Sequence, residues 1–295
     1  MKTEEFNLLE FQKKFNTEEE CEKYLFQKRW PKGFKCPICG HTDYYYISTR
    51  KLYECKECCH QTSITAGTIM HRSKLKLTIW FWTLYLVTND KRGRSALSIA
   101  QMFDLNYRTA WRLLHKIRHA MAERDSSYIL SSFIEMDDAY FGAPCPNTDG
   151  RGTSKTKVAI ALSTDPKGNP LYVRMKIIEA VSSNEIRNFA NEYVEKGSNI
   201  TTDGHSSYRQ LKEDYIHKYQ NYYEVSNSKF LKFLHILISN TKAFISGTYH
   251  GLEGKHLQSY LNEFCYRFNR RFNTKQLFGR ALNACISGTH YVVPE

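Results

Sequence analysis

The sequence has no apolar run long enough to cross a bilayer. Its most apolar stretch, Leu75 to Val87, is too short and carries lysines at its start, so a buried helix is expected there and no membrane partner. The opening residues MKTEEFNLLEF carry neither a basic start nor an apolar segment, and no signal peptide is expected. No internal repeat or low-complexity tract appears. Acidic side chains are scarce: 30 Asp and Glu stand against 42 Lys and Arg, a formal charge of +12. That excess calls for a polyanionic partner, either nucleic acid or an anionic surface. Hydrophobic residues make up 41% of the chain, enough for packed cores. These features describe a soluble, intracellular, basic protein.

Cysteine is present in a pattern. Cys36-Pro-Ile-Cys39 and Cys55-Lys-Glu-Cys58 are separated by fifteen residues, a spacing that lets two hairpin knuckles close a tetrahedral thiolate site around one zinc ion. Cys59 and His60 follow the second pair, so the fourth ligand can slip by one, and His41 is a further stand-in. Two separate disulfides are the alternative, which a reducing cytosol disfavours. Cys21, Cys145, Cys265 and Cys285 are scattered and read as buried thiols.

Around the cysteines, Thr17-Glu18-Glu19-Glu20 predicts a capped helix running to about Gln27, and Tyr44 to Tyr53 reads as ribbon strands. Residues 71–125 hold 11 Lys and Arg against 4 Asp and Glu. Within them, residues 95–103 and Tyr107 to Met121 predict two helices joined by Asp104-Leu105-Asn106. Leu97, Ala100, Leu105, Ala110 and Leu113 have helix-turn-helix spacing. The exposed face of the second helix is expected to carry Tyr107, Arg108, Arg112, Lys116 and Arg118, suited to double-stranded DNA. A packed helical hairpin with a solvated basic face is the plainer alternative.

From Ser131 the pattern changes. Strands are expected at Phe133–Phe141, Lys157–Ser163 and Leu171–Ile178, then a helix capped by Ser182 and running to about Val194. A strand at Asn199–Asp203, a helix around Tyr208–Lys212, a strand at Asn221–Val225 and helices at Lys229–Ile245 and Gly254–Phe272 follow. This multidomain α/β order matches a ribonuclease-H-like domain, in which the first and fourth strands lie side by side. Asp137 and Asp203 then face one point, and two close carboxylates need a cation; hard oxygen ligands suit Mg²⁺ or Mn²⁺. Asp203 before Gly204 also fits a simple turn. Asp138 must point to the opposite face, and Asp137 shares its face with Glu135.

The motifs MDDAYFG, TTDGHSSY, HILISNTKAFISGTYHG and HLQSYLNEFCYRFNRR, behind a zinc ribbon and a helix-turn-helix, resemble bacterial insertion-sequence transposases. The group is the one related to the eukaryotic Merlin elements, and the likeness runs from about Phe11 to Arg280. It implies a DDE-type enzyme, cytoplasmic and nucleoid-associated, a homo-oligomer on DNA, with Asp137 and Asp203 as the first two acidic residues. At the third position a glutamate is usual, with a basic residue two turns later. Lys242 fits the basic residue; His235, seven positions earlier, Asn240 and Glu263 are the candidates for the third. The stretch Arg267-Phe268-Asn269-Arg270-Arg271-Phe272 reads as a phosphate track, with Arg270 and Arg271 on DNA. It also reads as an amphipathic helix packing Phe264, Phe268 and Phe272. The expected division is 1–66 for the N-terminal helix and ribbon, 71–125 for the helix-turn-helix, 131–280 for the catalytic domain and 281–295 for a tail. The function implied is binding of terminal inverted repeats with metal-dependent strand cleavage and transfer. A catalytically inactive DNA-binding derivative and a ribonuclease-H-like nuclease are the alternatives.

Overall fold

The computed structural model describes residues 5–142, 155–220 and 231–293. The chain divides into two compact units, Met1–Arg124 with Phe272–Glu295, and Asp125–Arg271. Among the described residues no helix is long and apolar enough to cross a membrane.

The first unit opens with helices α1 (Leu8–Lys14) and α2 (Glu18–Arg29). The Thr17 hydroxyl accepts the Glu20 N–H at 3.2 Å, so the expected cap is present and α2 runs two residues past Gln27. The apolar stretch forms α3 (Leu77–Asn89), a buried helix as expected. Its first N–H groups, those of Leu77 and Thr78, donate to the Glu18 carboxylate at 2.7 and 3.1 Å. A side chain from another helix thus satisfies donors that α3's own cap residue, Lys76, leaves open. Phe11, Phe15 and Phe81 pack around Phe278 of α9 (Leu277–Ser287) with ring centroids 4.9 to 5.6 Å apart.

The ribbon is an antiparallel meander of β1 (Tyr44–Ile47), β2 (Leu52–Cys55) and β3 (Gln61–Ser63). Trp30, Phe34 and Tyr53 join it to α2 through Phe26. Helix α4 (Ala96–Met102) starts on a Ser95 cap, and α5 (Tyr107–Ser126) follows a four-residue turn, continuing past Met121. Asp104 takes the left-handed conformation there (φ +49°), and the Asn106 side chain accepts the Arg108 N–H at 2.9 Å. Leu97, expected inside the hairpin, is exposed; Ala100, also expected there, is buried, and Ile99 is buried beside it.

The second unit is a five-stranded sheet in the order β6-β5-β4-β7-β8. Strands β4 (Phe133–Phe141), β5 (Thr156–Thr164) and β6 (Pro170–Ile178) are antiparallel, whereas β7 (Asn199–Asp203) and β8 (Ile216–Gln220) run parallel to β4. The first and fourth strands of the domain are therefore neighbours, the ribonuclease-H-like arrangement. The expected strand at Asn221–Val225 lies outside the described residues. One sheet face packs α6 (Ser183–Tyr193) and a short 3-10 helix, Ser206–Glu213, through Ile134, Met136, Ile200, Phe189 and Tyr208. The other packs α7 (Lys232–Thr248) and α8 (Gly254–Phe268) through Ala139, Val158, Leu234, Leu237 and Leu261.

Helix α8 stops at Phe268, short of the expected Phe272, because the residues after it have another task. Strand β6 is a sheet edge, and Asn269 pairs with it like a further strand. It accepts the Val173 N–H at 2.7 Å and donates to the Val173 carbonyl at 3.1 Å. Gln258 does the same with the Ile177 N–H (2.8 Å) and the Met175 carbonyl (3.0 Å). Arg271 donates to the Leu171 and Pro170 carbonyls. The edge is thereby closed against another strand.

Candidate active site and metal centre

The zinc ligands are assembled by backbone geometry. The sulfurs of Cys36, Cys39, Cys55 and Cys58 lie within 4.8 Å of one another, with Cys36–Cys58 at 3.6 Å and Cys39–Cys55 at 3.5 Å. A tetrahedron with metal–sulfur bonds of about 2.3 Å needs sulfurs at about that separation, so the set fits zinc. In each knuckle the N–H of the first cysteine is bonded across the turn, Cys36 to His41 and Cys55 to His60. The residue after each second cysteine, Gly40 or Cys59, is left-handed (φ +75° and +56°). Cys59 is therefore the counterpart of Gly40, and the ligand set does not slip to Cys59, His60 or His41. The Cys39 N–H lowers the pKa of the Cys36 thiol to about 6, while neighbouring cysteine sulfurs raise that of Cys39 and push that of Cys58 up to about 12, so without a metal the four sulfurs do not all ionise together.

The carboxylates are assembled by strand register. Strands β4 and β7 pair Phe133 with Asn199, Ile134 with Ile200 and Glu135 with Thr201. Asp137 and Asp203 each lie two residues beyond the last of these pairs. Both carry odd parity relative to Ile134 and Ile200, which face α6, so both point to the α7 side. Asp138 points to the other face, where the buried Tyr208 hydroxyl donates to its Oδ1 at 3.2 Å.

Over this point stands the first turn of α7. His235 Nε2 lies 3.3 Å from Asp137 Oδ2. That hydrogen bond raises the His235 pKa. Burial raises the pKa of Asp137, and the charges of Asp138 and Asp203 add to it. A carboxylate pressed toward its neutral form by burial and a second carboxylate is a donor set that a divalent cation would relieve. Asp203 is itself bound by the His205 N–H at 3.1 Å.

Of the remaining third-position candidates, Asn240 is exposed on the outer face of α7. Glu263 is fully buried elsewhere, taking bonds from Tyr249 (3.5 Å) and Arg267 (3.3 Å) among Phe244 and Tyr260. Neither is brought to Asp137; His235 is. Lys242 lies 6.0 Å over the ring of Phe141, at the far end of β4 on the same sheet face.

Sequence reasoning gave Glu135 no role beyond sharing a face with Asp137. Its carboxylate accepts the Leu234 N–H, and burial raises its pKa; Oε2 is buried with no partner among the described residues. Leu231, which precedes α7, is left-handed (φ +38°) and gives no side-chain cap. Glu135 thus docks the first turn of α7, which carries His235, onto β4. The signal available was a second carboxylate two residues before Asp137, on one strand face.

Among the expected DNA-facing residues, Tyr107, Arg108 and Arg112 are exposed. Arg118 is not on the exposed face: it is 1% accessible, because α5 buries its last turns on several sides. Lys116 is half-buried with its ammonium toward the Ile69 carbonyl at 3.4 Å. Arg270 is buried as well, paired with Asp125 at 2.6 Å and stacked on Tyr266 at 3.6 Å. With Arg271 on the β6 edge, these two arginines serve the fold. Phe272, expected to pack, is 78% exposed.

Two families match the chain. Residues 129–269 match the ISXO2-like transposase domain, and residues 16–61 match the transposase zinc-ribbon domain. No curated protein matches.

Proposed function

We propose, for a chain that carries the two domains of an insertion-sequence DDE transposase, that it binds the terminal inverted repeats of its element and catalyses metal-dependent DNA strand cleavage and strand transfer. What supports this reading is that Asp137 and Asp203 lie on one sheet face by strand parity, with His235 3.3 Å from Asp137. Asp137 and Asp203 would hold Mg²⁺ or Mn²⁺, which supplies Lewis-acid charge for phosphoryl transfer. His235 orients the Asp137 carboxylate through its hydrogen bond, and Lys242 adds positive charge for a DNA phosphate on the same face.

The ribbon and the α4–α5 pair are the proposed DNA-holding parts, with Tyr107, Arg108 and Arg112 at the leading edge of α5. An element has two ends, so a complete reaction needs two copies of the site. A homo-oligomer on DNA, acting in the cytoplasm on the nucleoid, is the proposed form.

The test uses a plasmid carrying the flanks of this gene. With Mg²⁺ the purified chain should nick at the element ends and join the 3′ ends to a target. Asp137→Asn and Asp203→Asn should each abolish both steps and leave DNA binding intact, and the double variant should be no worse than either. Cutting without joining would identify a nuclease. Cleavage by both single variants at the parent rate would refute the catalytic reading.

A further inference from the structure

The positive charge of residues 71–125 is distributed differently from its sequence pattern. Arg118 is buried and Lys116 is turned inward, so of the cations in the trailing half of α5 only Arg124, in its last turn, is exposed. Arg72, Lys74, Lys76 and Arg124 are exposed elsewhere in the block, and in the turn between α3 and α4, Lys91-Arg92-Gly93-Arg94, Lys91 and Arg92 are exposed and Arg94 is half-buried. The Arg92 side chain is 85% exposed.

This turn is built around one carboxylate. Asp90 closes α3, and its Oδ1 accepts the Arg92 N–H at 3.0 Å and faces Arg92 Nε at 3.4 Å. Its Oδ2 lies 3.2 Å from Arg94 Nη2. The Gly93 N–H donates to the Asp90 carbonyl at 3.1 Å, and Gly93 is left-handed (φ +82°), a conformation glycine adopts without strain. Two guanidinium groups therefore converge on one anion, and Arg94 Nε is buried with no partner among the described residues. Three cations against one carboxylate leave the turn with a surplus of two positive charges. A carboxylate held by guanidinium donors occupies the place that a phosphate takes in charge-assisted recognition.

Helices α3, α4 and α5 follow one another as in three-helix DNA-binding folds. In those folds the third helix enters the major groove while the loop between the first two meets the phosphate backbone. We propose that the Lys91–Arg94 turn is a phosphate-backbone contact for duplex DNA, with Asp90 as the internal counter-ion that DNA displaces. The inference rests on the reading of α5 as a DNA-facing helix. The turn adds sequence-independent, salt-sensitive affinity and orients the helix; it reads no bases.

The experiment measures affinity of the full chain for a mixed-sequence duplex of about 30 base pairs, from about 50 to 200 mM salt. Arg92→Ala and Arg94→Ala should each flatten the slope of log K against log salt by about 0.9, and together by about twice that. Asp90→Asn should tighten binding several-fold at the low-salt end. Arg92→Gln, an exposed change, keeps the test sound should Arg94→Ala disturb the turn. Unchanged affinity and slope in the arginine variants, while Arg112→Ala still weakens binding, would overturn the turn's role and leave α5 on DNA. Weaker binding by Asp90→Asn would overturn the counter-ion role. Failure of the parent chain to bind the duplex, or of Arg112→Ala to matter, would remove the α5 reading and the turn with it.

Discussion

Asp137 and Asp138 are adjacent and have opposite surroundings. Strand alternation alone requires this, and the structure gives each face its partner: His235 for Asp137, the Tyr208 hydroxyl for Asp138. Tyr208→Phe should therefore cost about 1–3 kcal/mol in urea unfolding, because it leaves the half-buried Asp138 carboxylate one donor short. Glu135 shows where residue-level reading stopped. Its parity was visible, but its bond to the Leu234 N–H depends on how α7 docks, which no local pattern records. Glu135→Ala should cost about 0.5–2 kcal/mol, the range for a lost helix-start acceptor, and Glu135→Gln should recover most of it. His217 gives a pH signature. Burial lowers its pKa, and its ring bonds Thr202 Oγ1 at 2.9 Å. A lowered base contributes stability that is complete above the ordinary histidine pKa of about 6.5 and is lost as pH falls through the folded value. His217→Gln should flatten the fall in melting temperature on that acidic side; an unchanged profile would assign it to other groups.

At the scale of elements, the order and type of most were legible and their ends were not, while α1, β3, β8 and α9, the last running into an expected tail, were not expected. The paired-cysteine spacing, the Thr17 cap and the strand–helix sequence of the second unit all carry local signals strong enough to survive folding. The C-terminal arginines did not. Arg270 and Arg271 sit in a helical pattern that suggests a solvated or phosphate-facing stripe, yet the edge of β6 and the buried Asp125 claim them. Their partners lie far away in sequence, so the pattern cannot show them. The same holds for Glu18, which caps α3 from another helix, and for α9, whose Phe278 packs against Phe11 at the other end of the chain. Asn269→Ala should cost about 1–3 kcal/mol by opening two edge hydrogen bonds, and it should raise aggregation on heating, read by light scattering. Cys36→Ser should lower zinc from about one per chain to near none and expose residues 30–65 to proteolysis, since the ribbon's sheet is three short strands.

For the whole molecule, the +12 charge pointed to a polyanion but not to which cations would meet it. Folding withdraws Arg118 and Arg270 into cores, while Arg72, Lys74, Lys76, Lys91, Arg92, Arg108, Arg112 and Arg124 stay exposed in the 71–125 block. The element order identified the sheet, and the parallel pairing of β4 with β7 puts the strands that carry Asp137 and Asp203 side by side. What the sequence could not supply was the third partner: three candidates shared two helices, and only the packing of α7 on β4 separates His235 from Asn240 and Glu263. Asp137 and Asp203, and not Asp138, are the proposed divalent-cation site. Calorimetric titration of the zinc-loaded chain with Mn²⁺ tests it without any DNA. Saturable Mn²⁺ binding that is lost in Asp137→Asn and in Asp203→Asn, and kept in Asp138→Asn, is the predicted result. Binding that survives in the first two and disappears in Asp138→Asn would contradict the account.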